Sequence, residues 1–367
     1  MTFCALSEVK GMAIIINKVA NKIYVVFMLI SLLLMVACSS DNEQSSGSNE
    51  VDSSEEEQSS DTNKGESDGD SLDEEEEILI EKNVVFGKTD KENNLTADVY
   101  RPNEGEDLPV VLLIHGGAFT SGSKEMYEEW GPYLAQSGFV AVAINYRLYT
   151  PEYSTWPGVL EDVKTAANWV VSNANDWDVE PQRMGVIGDS AGGSLANLLA
   201  FQSASNSSYN IRGAVSAYGV KDFEKEPENY IEMFGKDYQK APHKYQEASP
   251  IDYIDEASNS STFDTSFLVM WGENDTEVRT QTNEEFSNNL DEVGIDVEAI
   301  EYPDVGHFWL TDIPGLEKGT LDEYPNTEAA PKILGFLEDK LINTEIKNFS
   351  PDTIENLKER EQDELSK

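Results

Sequence analysis

A serine hydroxyl becomes a useful nucleophile only when a neighbouring base takes its proton, and that base needs an acid to fix its tautomer and stabilise its charged form. Residues of all three types occur in this chain in the order Ser190, Asp275, His307. Ser190 lies in Gly185-Val186-Ile187-Gly188-Asp189-Ser190-Ala191-Gly192-Gly193-Ser194-Leu195-Ala196. β-type residues run to Gly188, and an Ala/Leu-rich helical pattern continues through Leu199. Strand, tight turn and helix, with Gly188-x-Ser190-x-Gly192 at the junction, form the nucleophile-elbow pattern. Such a turn pushes the serine outward and requires residues without bulk where the strand and helix backbones pass close together. The helix beginning there turns unpaired N–H groups and its positive end towards charge developing on an attacked carbonyl. A small-residue turn that only packs a helix on a sheet would show the same spacing, so the partners of Ser190 decide.

Three histidines are available as base. His115 sits inside a Gly-Gly turn, His243 lies in a polar stretch with no strand before it, and His307 follows a late strand. In hydrolases ordered serine, acid, histidine, each partner sits on a loop after a successive strand. His307 and Asp275 fit that order. Glu273 and Asp304 are competing acids; Asp304 is closer to His307 in sequence but belongs to the wrong strand end. His115-Gly116-Gly117 follows a buried strand, and glycines there let backbone N–H groups approach a tetrahedral oxygen unobstructed. The amides of Gly116, Gly117 and Ala191 are therefore the expected oxyanion hole, where one donor is worth about 3 kcal/mol in the transition state. His115 itself is expected to brace the loop.

These loops need a sheet to hold them. Leu95–Arg101 alternates as a strand, while Pro109–Ile114 and Phe139–Ile144 are continuous apolar runs suited to central strands buried on both faces. A helix is expected near Met126–Ser137, and Val159, Val163, Ala166, Ala167 and Val170 fall on one helical face. Beyond the elbow helix come strands at Ile211–Tyr218, Ser266–Trp271 and Val297–Tyr302, with helices at Glu284–Val293 and Pro331–Leu341. Strand and helix alternate, which predicts an α/β fold with a mostly parallel sheet flanked by helices. Residues 221–263 are polar, dotted with aromatics and without a clear period, and are expected to form a small cap over the site.

Composition bounds the rest. The 367 residues carry a formal charge of −44. Residues 39–77 hold 16 Asp/Glu against Lys64 alone, yet about −31 falls on the chain from 78 onward, so the folded part is itself acidic. Such a field repels polyanions and excludes nucleic acid as a partner. The two cysteines, Cys4 and Cys38, precede the folded region, so neither a disulfide framework nor a thiolate metal site is possible there.

Lys18 and Lys22 precede the apolar run Ile23–Ala37, which is short for a membrane span and reads as a secretory signal over residues 1–38. Translation from Met12 would leave this signal intact. Met35-Val36-Ala37-Cys38 is similar to a bacterial lipobox, which makes Cys38 the expected lipidation site and the chain an exported lipoprotein held on the outer side of the cell membrane by that anchor alone. Residues 39–77 have almost no apolar side chain and form an acidic, extended linker; the Glu74–Glu77 run is a solvated charge run rather than a calcium site. The domain is expected over 78–343, with a charged tail over 344–367.

His115-Gly116-Gly117-Ala118-Phe119, Asn145-Tyr146-Arg147-Leu148, Gly188-Asp189-Ser190-Ala191-Gly192-Gly193, Asp275-x-x-Val278 and Gly306-His307 stand in family order. Over roughly residues 80–342 the chain resembles an α/β hydrolase of the hormone-sensitive-lipase-like, carbohydrate-esterase-like group. The resemblance implies a serine carboxylesterase working without cofactor or metal through an acyl-enzyme, on small esters or acylated polysaccharide. Short acyl groups, acetyl or feruloyl among them, are the expected substrates. Members often carry a third glycine where Ala118 stands, and Leu-Ala-Pro-Glu where this chain has Leu148-Tyr149-Thr150-Pro151-Glu152, which bears on the acyl pocket. Two rival functions are a prolyl-oligopeptidase-like peptidase, which would need a propeller-sized second domain, and a binding protein on an inactive hydrolase fold, which usually lacks a triad member.

Overall fold

A computed structural model describes residues 78–313 and 319–343. The expected signal, Cys38, the acidic linker and the tail over 344–367 lie outside the described residues. The strands are β1 (Ile78–Lys88), β2 (Asn94–Pro102), β3 (Leu108–Ile114), β4 (Val140–Ile144), β5 (Val179–Asp189), β6 (Ile211–Ala217), β7 (Ser266–Gly272) and β8 (Val297–Tyr302). The longer helices are α1 (Trp130–Gln136), α2 (Gly158–Ser172), α3 (Ala191–Ser203), α4 (Pro242–Ala248), α5 (Thr280–Glu292) and α6 (Asn326–Leu337).

The strands form one sheet in the order β1-β2-β4-β3-β5-β6-β7-β8. β2 runs antiparallel to β1 and β4, and every other pairing is parallel. Together with the flanking helices this is the α/β-hydrolase fold. The apolar runs of β3 and β4 are buried nearly throughout, as strands covered on both faces must be. Gly185 of β5 faces Leu337 and Leu341, whereas Gly188 faces the start of α3, so helices close both sides. α2 buries Val159, Val163, Ala166, Ala167 and Val170, the face its spacing predicts.

Register brings the strand ends into line. Ile114 pairs with Gly188, Asp189 with Ala217, and Gly272 with Tyr302. The loops after β3, β5, β6, β7 and β8 therefore leave the sheet along one edge, where ligands of open α/β sheets bind.

Several boundaries differ from the sequence reading. β1 has no alternating signal because most of its length is exposed at the sheet edge, paired to β2 alone. The helix expected near Met126–Ser137 divides into a 3₁₀ turn at Lys124–Tyr127 and α1; Pro132, lacking an N–H, fits only near a helix start. α5 begins earlier than Glu284, and α6 begins at Asn326, leaving Pro331 in its interior. Between β6 and β7 the chain forms short turns and helices, among them Ile231–Phe234, α4 and Ile254–Ser258, too brief for a helical period to register in sequence.

Candidate active site

Ser190 follows the last residue of β5 and precedes α3, with φ 50° and ψ −116°. A non-glycine residue in that region costs on the order of 1–3 kcal/mol and persists only where surrounding structure enforces it. Enforcement comes from two glycines and one hydrogen bond. A Cβ on Gly188 would stand 2.2 Å from Gly192 O, and one on Gly192 would stand 1.9 Å from Ile114 O. The Ser190 N–H donates to Ala217 O at 2.9 Å.

His307 lies five residues past β8. Its Nε2 is 2.9 Å from Ser190 Oγ, and its Nδ1 is 2.7 Å from Asp275 Oδ2. Asp275, in the loop after β7, accepts the N–H groups of Glu277 and Val278 on Oδ1, at 2.9 and 3.0 Å. Only 4% of the His307 side chain and 1% of the Asp275 side chain are exposed. Because Asp275 accepts at Nδ1, the neutral imidazole carries its proton there and presents a free lone pair at Nε2 to the serine. The competing groups stand apart from this chain of hydrogen bonds: His243 is exposed on α4, and Glu273 accepts the Asp304 N–H at 3.2 Å.

The loop carrying His307 is pinned from three sides. Tyr218 packs its ring 4.5 Å from the imidazole, and its hydroxyl accepts the Leu310 N–H at 3.0 Å. Trp130 Nε1 donates to Leu310 O at 2.8 Å. Asn326 Nδ2 lies 2.6 Å from Trp309 O.

The loop after β3 corrects one expectation. The Gly116 N–H donates to Asp189 Oδ1 at 2.9 Å, so it is already committed and unavailable to an oxyanion. Among the described residues, neither Gly117 nor Ala118 donates its N–H to an internal acceptor. Gly117, at φ 113°, lines the cleft beside Ser190. A Cβ there would stand 2.1 Å from Ser121 O. Ala191 begins α3, where the first N–H groups have no partner within the helix. The Gly117 and Ala191 amides thus remain the candidate oxyanion donors, whereas the Gly116 amide is given to Asp189.

His115 is buried, stacked on Tyr146 at 4.2 Å, and donates from Nδ1 to Gly116 O at 2.7 Å. Burial pushes its pKa down to about 4, so it is neutral at physiological pH. Tyr146 donates to His115 O at 2.7 Å, and Arg147 makes a two-pronged contact with Asp162 of α2, at 2.7 Å through both Nε and a terminal nitrogen. These members of the motifs hold loops rather than reacting atoms.

Beside Ser190 a cleft of about 370 Å³ is walled by Gly117, Ser123, Met126, Phe308 and Ile313. Among the described residues, no group of three or more His, Cys, Asp or Glu is placed to hold a metal ion. Sequence reasoning passed over Asp189, Tyr218 and Asn326. Asp189 stands in the variable position of the elbow pattern, and the other two carry no spacing that marks them.

The chain is similar to several known proteins. The BD-FAE family model matches residues 97–290, just over half of the chain, spanning Ser190 and Asp275 and ending before His307. The probable carboxylic ester hydrolase LipM of Mycobacterium tuberculosis is 30% identical over 231 residues, covering 57% of this chain and 51% of LipM. The ethyl acetate hydrolase of Pseudomonas putida is 34% identical over 116 residues, 30% of this chain and 36% of that protein. The chain thus spans about half the length, or less, of these two curated relatives. Among solved structures, the hyperthermophilic esterase of Pyrobaculum calidifontis superposes with a TM-score of 0.56 at 28% identity, covering 71% of this chain and 85% of that one.

Proposed function

The chain belongs to the BD-FAE family, and on that premise we propose that it is a serine carboxylesterase hydrolysing short-chain acyl esters through an acyl-enzyme. The observation that carries the reading is His307, bridging Ser190 Oγ at 2.9 Å and Asp275 Oδ2 at 2.7 Å. In the reaction His307 Nε2 takes the Ser190 proton as Oγ attacks the ester carbonyl. The resulting imidazolium is stabilised by Asp275, and the oxyanion by the amides of Gly117 and Ala191. Collapse of the tetrahedral intermediate expels the alcohol, which takes its proton from His307. Water, deprotonated by the same base, then attacks the acyl-enzyme and releases the acid.

A cleft of about 370 Å³ with Met126, Phe308 and Ile313 on its walls accommodates a small acyl or alcohol group. The similarity to an ethyl acetate hydrolase supports the same size range. Acetyl or feruloyl groups on polysaccharide are the proposed natural esters, reached from the outer cell surface by a chain lipidated at Cys38 and spaced by residues 39–77. Support for that placement is the apolar run Ile23–Ala37, which ends in Met35-Val36-Ala37 just before Cys38, and the acidic stretch that follows.

The test uses the full-length chain on p-nitrophenyl acetate, butyrate and octanoate. Acetate and butyrate turnover should exceed octanoate turnover, and Ser190→Ala should lower kcat by at least about 10⁴-fold. Equal rates for the wild type and Ser190→Ala would overturn the mechanism, and a strong preference for octanoate would overturn the acyl-length assignment.

A further inference from the structure

Asp189 is an ionisable side chain that the reaction above does not use, yet it sits where three loops of the site meet. It is the last residue of β5, covalently next to Ser190, and 2% exposed. Its Oδ1 accepts the Gly116 N–H at 2.9 Å and the Tyr127 hydroxyl at 3.0 Å. Its Oδ2 lies 3.5 Å from Thr311 Oγ1, four residues past His307. A Cβ on Gly116 would stand 2.4 Å from Oδ2, so the carboxylate rests directly against the glycine backbone.

We propose that Asp189 is a positioning residue, which holds the oxyanion loop in register with the nucleophile by capturing the Gly116 N–H. The inference rests on the serine-esterase reading. Gly116 is one residue before the Gly117 amide, and Asp189 is one residue before Ser190. Their single hydrogen bond therefore fixes the spacing between the donor that stabilises the oxyanion and the oxygen that attacks. A displacement of about 1 Å between such groups is enough to cost on the order of a hundredfold in rate. The Gly116 amide, expected from sequence to touch the oxyanion, acts one step back from it.

The group also carries charge. Burial pushes the Asp189 pKa up to about 6, so it is ionised above that pH. The titratable groups facing it are Tyr127 from the 3₁₀ turn, Tyr146 from the loop after β4, Tyr218 from the end of β6, and His307.

The experiment measures kcat, KM and the affinity for a trifluoromethyl ketone, which forms a tetrahedral adduct with Ser190, in the full-length chain and its Asp189→Ala and Asp189→Asn variants. Asp189→Ala should lower kcat about a hundredfold with little change in KM, and weaken the ketone by a similar factor. Asp189→Asn should recover most of that loss, because its amide oxygen can accept both donors and its NH₂ can face Thr311 Oγ1. The proposal is overturned if folded Asp189→Ala keeps kcat within about threefold of wild type, or if Asp189→Asn is as impaired as Asp189→Ala. Should Asp189→Ala not fold, Asp189→Ser, whose hydroxyl is too short to reach the Gly116 N–H, takes its place, and a folded variant with kcat within about threefold of wild type overturns the assignment. A wild type that neither turns over ester nor reacts with a fluorophosphonate would instead sink the esterase reading, and this assignment with it.

Discussion

Asn326 offers the sharpest test of how the His307 loop is held. Its side chain is fully buried at the start of α6. Nδ2 lies 2.6 Å from Trp309 O, 3.2 Å from Leu310 O, 3.0 Å from Gly319 O and 3.1 Å from Thr320 O. One amide has two N–H donors, so four carbonyls share two hydrogens. Asn326→Ala removes both, and each buried carbonyl left without a partner costs about 1–3 kcal/mol. Two such losses amount to roughly 2–6 kcal/mol, and a domain of this size loses about 2–4 °C in Tm per kcal/mol. A drop of about 10 °C is expected in scanning calorimetry. Trp309 and Leu310 stand two and three residues past His307, so kcat should fall as well, even at temperatures where the variant remains folded. Asn326→Asp should be worse than Asn326→Ala, because it turns an acceptor towards four carbonyls. A Tm within 2 °C of wild type, with kcat unchanged, would refute the argument that this amide anchors the loop.

Two further outcomes are expected. Lys221 is fully buried, donates to Ser216 Oγ and has its amine 5.0 Å from the centre of the Phe286 ring; burial holds its pKa well below the ordinary lysine range. Below its unfolded pKa the unfolded chain holds a proton there more tightly than the folded chain, so this group makes stability rise with pH up to that pKa. Lys221→Met should therefore flatten the rise of stability with pH below the unfolded lysine pKa, as denaturant titrations at several pH values would reveal; an unchanged slope would refute the depression of this pKa by burial. For the proposed anchor, Cys38→Ser should move the chain from the membrane to the soluble exported fraction and abolish incorporation of labelled fatty acid, whereas an unaltered distribution would count against lipidation.

Much of the site was legible before the fold because its chemistry demands particular residue types. A nucleophilic serine at a strand-to-helix turn needs small neighbours, and Gly188 and Gly192 advertise this; Asp275 follows the buried apolar run of β7, and His307 follows β8, whose largely exposed Val297–Tyr302 still alternates β-type residues with glutamates. β3, β4 and the buried face of α2 were legible for the same reason, since central elements need uninterrupted or regularly spaced apolar residues. β1 was not, because an exposed edge strand can take almost any side chain. Nor was the commitment of the Gly116 amide to Asp189, a contact between residues 73 positions apart. A glycine pattern says that backbone can come close, but not which N–H is spent on the protein itself. Asn326 and Tyr218 were invisible in the same way: what they satisfy is the backbone of a distant loop, and no periodicity records that debt.

The separation along the chain between the residues of this site also sets a schedule for folding. Ser190 and His307 are 117 positions apart, and Trp130 reaches Leu310 across 180. Neither contact can form until β5, β6, β7 and β8 have paired across the sheet, because only that pairing aligns their ends. Contacts of such long range form late, after the entropy of closing large loops has been overcome. Hydrolytic competence should therefore return on refolding as one late event, lagging the recovery of helix signal. A partly assembled chain can already own its nucleophile, on the elbow between β5 and α3, and still have no base with which to use it.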